Sequence, residues 1–161
     1  MRRSAGASAL AVGVVLTGLL ALSGCSGPAP LKLSISKVYA EAAGASAATQ
    51  VYATITNNGR TTSLIGASSP DSKTASFVGP MTMPGGDRMV MQAGELGLPR
   101  GRTLAMAPGG DRIVLGLLQH PLKPGDTIRV TLRFDGGQPM TVTAKVAASD
   151  QIAALLGAKA S

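Results

Sequence analysis

The chain of 161 residues has no tryptophan, two tyrosines, two phenylalanines, one cysteine and one histidine. Each scarcity removes a class of function. A single cysteine excludes a disulfide framework and a thiolate-cluster metal site, and a single histidine excludes a zinc centre built from several imidazoles. Four aromatic residues cannot supply platforms on which bases stack, and the Lys and Arg residues are scattered, so the formal charge of +7 does not signify a nucleic-acid partner. Charged residues make up 14% of the chain against 45% hydrophobic ones, which excludes a wholly disordered polypeptide and fits one compact domain with an ordinary core. There is also no G-x-S-x-G elbow, no Gly-rich phosphate loop ending in Lys-Ser or Lys-Thr, and no carboxylate pair close in sequence. His120, between a strand and a turn in Gln119-His120-Pro121, reads as a surface loop residue. No enzyme is expected.

The amino terminus reads as an address and an anchor. Arg2 and Arg3 precede an apolar stretch from Ala9 to Leu22, which as a helix would reach about 21 Å, short of the roughly 30 Å hydrocarbon core of a bilayer. It is therefore expected to be a cleaved export signal. Leu22-Ser23-Gly24-Cys25 resembles the bacterial lipobox, in which the Cys thiol receives a diacylglycerol and cleavage follows on its amino side. Residues 1–24 are then a lipoprotein signal peptide, and residues 25–30 a lipidated tether beginning at Cys25. Several acyl chains hold a protein on a membrane far better than one. Loss of Arg2 and Arg3 lowers the formal charge to about +5, a modest positive surface facing anionic lipid headgroups.

Beyond Ser26-Gly27-Pro28-Ala29-Pro30, nine short runs alternate with Gly, Pro, Asn and Asp punctuation. They are residues 31–39, 50–56, 63–67, 74–78, 88–92, 103–107, 112–118, 126–134 and 139–146. Such spacing predicts an all-β sandwich or barrel. Asn57-Asn58-Gly59 and Asp135-Gly136-Gly137 are expected to close hairpins. Val130, Leu132 and Phe134 alternate with Arg129, Thr131 and Arg133, giving a strand with one apolar and one wet face. Residues 41–48 read as a flexible loop, and residues 148–161 as a tail or a short helix capped by Ser149-Asp150 and carrying Ile152, Leu155 and Leu156.

Methionine is the one unusual concentration. Four of the seven lie within eleven positions, as Met81-x-Met83 and Met89-x-Met91, separated by the turn formers Pro84-Gly85-Gly86-Asp87. Alternation along a strand puts the two members of each pair on one side. A hairpin in matching register would bring all four thioethers to one patch. Thioethers are soft, uncharged donors suited to Cu(I) and poorly suited to harder divalent ions, and they need no deprotonation to bind. The alternative is that the methionines fill a core or an adaptable apolar surface.

Several ordered motifs then resemble one family. Val51-Tyr52-Ala53-Thr54-Ile55-Thr56-Asn57-Asn58-Gly59, Leu64-Ile65-Gly66-Ala67-Ser68-Ser69-Pro70, the Met-rich segment, Pro108-Gly109-Gly110 and Pro121-Leu122-Lys123-Pro124-Gly125-Asp126 are similar, in this order, to the PCuAC copper chaperones. The resemblance covers residues 31–147. It implies a cupredoxin-like Greek-key β-barrel or sandwich outside the cytoplasm that binds Cu(I) and hands it to the copper site of a terminal oxidase; an open, incomplete site would also permit sharing of the metal with a second copper chaperone. It also implies a ligand set of two His and two Met. The first His would fall at Gly79 or Pro80, the closing Met is Met91, and the later His-x-Met falls on Arg112 and Val114. Three of those ligands are missing, and Arg112 would bring a fixed cation to the site. Two expectations follow: a lipoprotein whose copper site is rebuilt from Met81, Met83, Met89 and Met91, or a scaffold that has lost metal and serves as a structural or partner-binding lipoprotein.

Overall fold

The computed structural model describes residues 30–157. The expected export signal and Cys25 lie outside the described residues. Ten strands and one helix follow in chain order: β1 (Leu33–Glu41), β2 (Thr49–Asn57), β3 (Thr62–Ser68), β4 (Ser72–Thr82), β5 (Arg88–Ala93), β6 (Leu96–Leu98), β7 (Thr103–Ala105), β8 (Arg112–Leu118), β9 (Thr127–Phe134), β10 (Met140–Ala147) and α1 (Ser149–Leu156). All nine expected runs are strands, and β6 is an addition. Three residues around Gly97 are too short a run for alternation to register.

The strands hydrogen-bond in the order β5-β4-β8-β2-β1-β10-β9-β3-β6, with β7 also on β2. Every pair is antiparallel except β1 with β10. Phe77 of β4 and Ile113 and Leu115 of β8, near one end of that order, share a core with Leu64 of β3 and Leu98 of β6 at the other. The sheet therefore curls around one interior, the all-β cupredoxin-like arrangement. β9 shows how the sequence dictates this. Ile128, Val130, Leu132 and Phe134 are buried and alternate with side chains on the opposite, wetter face. Full burial of each such side chain contributes about 1.5–3 kcal/mol.

Asp135-Gly136-Gly137 closes the β9–β10 hairpin, with Gly136 at φ 62. The turn at Asn57 to Gly59 is not a hairpin, because β2 and β3 do not pair. Asn57 Oδ1 accepts the Gly59 N–H at 2.9 Å, and its Nδ2 donates to the carbonyls of Arg60 and Leu98 at 2.8 Å each. The same Asx-turn chemistry that closes hairpins here carries the chain from β2 to a strand beside β9. Gly59 is needed for close approach, since a Cβ there would stand 2.5 Å from the Lys32 backbone nitrogen.

The expected helix is present, with Ile152 and Leu156 buried. Its N-cap is Ala148, without a side-chain cap bond, because the Ser149 hydroxyl donates instead to the Glu41 carboxylate at 3.3 Å. Its other end is held from β1. A register shift between Ser36 and Tyr39 and a left-handed Lys37 (φ 50) mark a bulge, and Lys37 Nζ donates to the Leu156 carbonyl at 2.8 Å.

Candidate functional site

β4 crosses the core at its middle and runs past its rim. Phe77 and Gly79 are buried, whereas Pro80, Met81 and Thr82 are exposed. β8 accompanies β4 only as far as Val78, opposite Arg112, so the outer end of β4 pairs with β5 alone. Pro80, which has no N–H to donate, sits beyond that last β8 partner. The turn is made by Pro84-Gly85-Gly86: the Met83 N–H donates to the Asp87 carbonyl at 2.8 Å and the Gly86 N–H to the Met83 carbonyl at 3.0 Å. Gly85 (φ 124) and Gly86 (φ 94) take conformations that side chains resist.

The register of this ribbon sets the geometry. Met81 is opposite Met89, and Gly79 is opposite Met91. Met83 follows β4 and faces Asp87 across the turn. By strand alternation Met81, Met83, Met89 and Met91 belong to the face that carries Phe77 and Ala93, which is the core face continued into solvent. The four side chains are between 37% and 54% exposed, so they do not fill a core. Directly opposed side chains have Cβ atoms about 4.5–5.5 Å apart and diagonal ones about 7–8 Å, within reach of long thioethers. At the foot of the ribbon is a cleft of about 240 Å³ lined by Gly79, Met81, Met91, Glu95, Leu104 and Asp111, among others.

Among the described residues there is no group of three or more His, Cys, Asp or Glu side chains placed to hold a metal ion. The positions where the family resemblance places imidazole and a second methionine behave differently from that expectation. Arg112 pairs with Val78, and Val114 with Ser76, so both belong to the face opposite the methionines. The expected cation beside the site is therefore absent from it. Arg112 Nη1 donates to the Gly110 carbonyl at 3.0 Å, while its buried Nε finds no partner among the described residues.

His120 is exposed, as expected, and its Nε2 lies 3.0 Å from Asp71 Oδ1. The hydrogen bond to Asp71, helped by the Pro121 carbonyl, raises its pKa above the ordinary 6.5. The Ser69 hydroxyl reaches the other Asp71 oxygen at 3.4 Å. Serine and imidazole thus share an acid, which is not the order in which a base activates a nucleophile. Asp71 immediately precedes β4, and the methionines occupy its far end, roughly 30 Å away along an extended strand.

Sequence reasoning missed two polar features. Tyr52 is buried on β2 and donates to Glu41 Oε1 at 2.7 Å, and Gln50 Nε2 donates to Glu41 Oε2 at 3.2 Å. Burial first, and the Glu41 hydrogen bond second, push the Tyr52 phenol well above its usual value. The other feature is Asp111. It precedes β8 in line with Gly79, and its Oδ1 occupies the space that a side chain on Gly79 would take. Only the β4–β8 register brings these residues together.

Comparison with known proteins is consistent with this architecture. Residues 33–146 match the family described as "Putative lipoprotein LpqE-like". A protein of Leifsonia xyli subsp. xyli (strain CTCB07), "Putative lipoprotein Lxx21020", is 32% identical over 139 residues, spanning 80% of this chain and 83% of that one. No helix among the described residues is long and apolar enough to cross a membrane. Among solved structures, the apo PCuAC domain from PmoF1 is similar with a TM-score of 0.63 and 24% identity, over 73% of this chain and 94% of that one. The copper-bound PCuAC domain from PmoF2 has a TM-score of 0.59 and 24% identity, over 73% and 93%. The Cu(I) form of DR1885 from Deinococcus radiodurans has a TM-score of 0.55 and 25% identity, over 79% and 84%. The chain belongs to the LpqE-like lipoprotein family, and its body has the all-β, cupredoxin-like fold of the PCuAC domains.

Proposed function

We propose that this protein is a lipid-anchored, extracytoplasmic copper chaperone that carries Cu(I) on the methionine face of the β4–β5 ribbon. The observation that supports this reading is the register that sets Met81 opposite Met89 and puts Met83 and Met91 on the same exposed face. Exposed methionines forgo the burial that would otherwise explain them, and clustered thioethers favour a soft monovalent ion. A ligand set without imidazole binds Cu(I) more weakly than the His-containing sets of the family. Weak, open binding suits delivery, to the copper site of a terminal oxidase or through a second copper chaperone. Cys25 supplies the anchor, so Cys25→Ser moves the protein out of the membrane fraction.

The test is an anaerobic competition titration of the detergent-purified chain with a chromogenic Cu(I) chelator. One Cu(I) per chain is expected, abolished by Met89→Ala plus Met91→Ala. Uptake unchanged by those substitutions defeats the reading. The second reading, a structural or partner-binding lipoprotein on the same scaffold, draws on Gly79, Arg112 and Val114 where the family carries ligands, and on the exposed methionines as an adaptable apolar contact. It predicts no Cu(I) uptake, with crosslinking of the ribbon to an envelope protein in intact cells.

A further inference from the structure

We infer that Asp111 is a member of the methionine site, which makes it a mixed thioether and carboxylate site for Cu(I). The inference rests on the copper reading above and assigns it a ligand outside the methionine set. Met91 on β5 is opposite Gly79 on β4, and Asp111, one residue before β8, extends the last β4–β8 pair, Val78 with Arg112, into the same cross-sheet row. Because the middle residue has no side chain, the row has a gap on the methionine face. Asp111 Oδ1 fills that gap, and the carboxylate, Met81 and Met91 line the same cleft.

Three physical points favour a metal-directed role over a structural one. Among the described residues the only ion pair joins His120 to Asp71, so no cation engages Asp111. Arg112, the nearest basic residue in sequence, belongs to the opposite face of the sheet. Finally, thioethers are neutral, so Cu(I) held by them alone leaves a net positive charge at a half-covered surface, and one adjacent carboxylate cancels it. A glycine at position 79 and an acid at position 111 thus act as a unit: the first makes room for the second in the cleft that Met81 and Met91 line.

The experiment compares the detergent-purified chain with Asp111→Asn, which keeps shape and removes charge, under the same Cu(I) competition. Asp150→Asn, on α1, controls for net charge. Cu(I) affinity is expected to fall roughly tenfold in Asp111→Asn, the size of one unit-charge contact at a partly exposed site, and to stay unchanged in Asp150→Asn. X-ray absorption at the copper edge is expected to show an oxygen scatterer beside the sulfurs, lost in Asp111→Asn. Asp111→Ser serves as the second variant if the amide disturbs folding. Wild-type affinity and an unchanged spectrum in Asp111→Asn, with uptake still abolished by the double methionine variant, overturn this inference and leave the copper reading standing. No uptake by the wild type overturns both.

Discussion

Gly79 and Asp111 stand in line across β4 and β8, and the carboxylate of the second occupies the side-chain space of the first. The obstacle to a larger residue at position 79 is the tip of a short side chain that can rotate away. Gly79→Ala is therefore expected to cost less than about 1 kcal/mol in stability, while displacing the carboxylate and weakening Cu(I) binding to the extent expected of Asp111→Asn. Gly59 is the contrast. A Cβ there meets the backbone of Lys32 and Pro30, which cannot swing aside. Gly59→Ala is expected to cost about 1–3 kcal/mol. Urea unfolding of the two variants, with the titration repeated on the first, checks both statements.

Lys37 ties β1 to the last turn of α1. Its ammonium donates to the Leu156 carbonyl at 2.8 Å, where unpaired carbonyls concentrate negative charge. Lys37→Ala is expected to lower stability by about 1 kcal/mol and to speed amide exchange in residues 149–156 before the rest of the sheet. Uniform exchange across the molecule would show that the bond does not hold the helix.

Much of this architecture is legible locally. The alternation in β9 marks its buried face without reference to any other strand, and Pro84-Gly85-Gly86 between paired methionines marks a ribbon. Pairing partners are not local. Asn57-Asn58-Gly59 turns the chain, yet whether the flanking strands then bond each other depends on β9, which is distant in sequence and claims β3. The same limit applies to the site. Met81 and Met89 can be placed together from the turn alone, but Asp111 joins them only through the β4–β8 register. That register also removes Arg112, which motif alignment puts beside the metal, to the far face. Ser149 looks like a helix cap by composition and is drawn off by Glu41, a residue of β1.

Tyr52 donates to Glu41 inside the fold, and its phenol is raised above the usual 10 chiefly by burial. A raised pKa in the folded state means that the unfolded chain loses its proton first as pH rises. The hydrogen bond therefore contributes fully below pH 10, and its contribution declines above it. Tyr52→Phe is expected to cost about 1.5–3 kcal/mol at pH 8, as for a bond to a charged acceptor. The gap between wild type and variant should narrow as pH climbs past 10. Denaturant midpoints measured at pH 8 and pH 11 decide it; a gap that widens would reverse the assignment of the proton.

With one histidine in the sequence, the tagless protein offers a single imidazole signal. The hydrogen bond that His120 donates to Asp71 raises the His120 pKa, so the charged pair is present below pH 6.5 and is lost as pH rises through the elevated value. An NMR titration is expected to place the midpoint above 6.5 in the wild type and to return it toward 6.5 in Asp71→Asn. The same signal discriminates between metal sites. His120 and the methionines are separated by the length of β4, so neither can reach a metal held by the other. Saturating Cu(I) should leave the His120 midpoint where it was. A shift or broadening would move the copper to the only imidazole in the chain, and with it the whole case for sulfur at the other end of the strand.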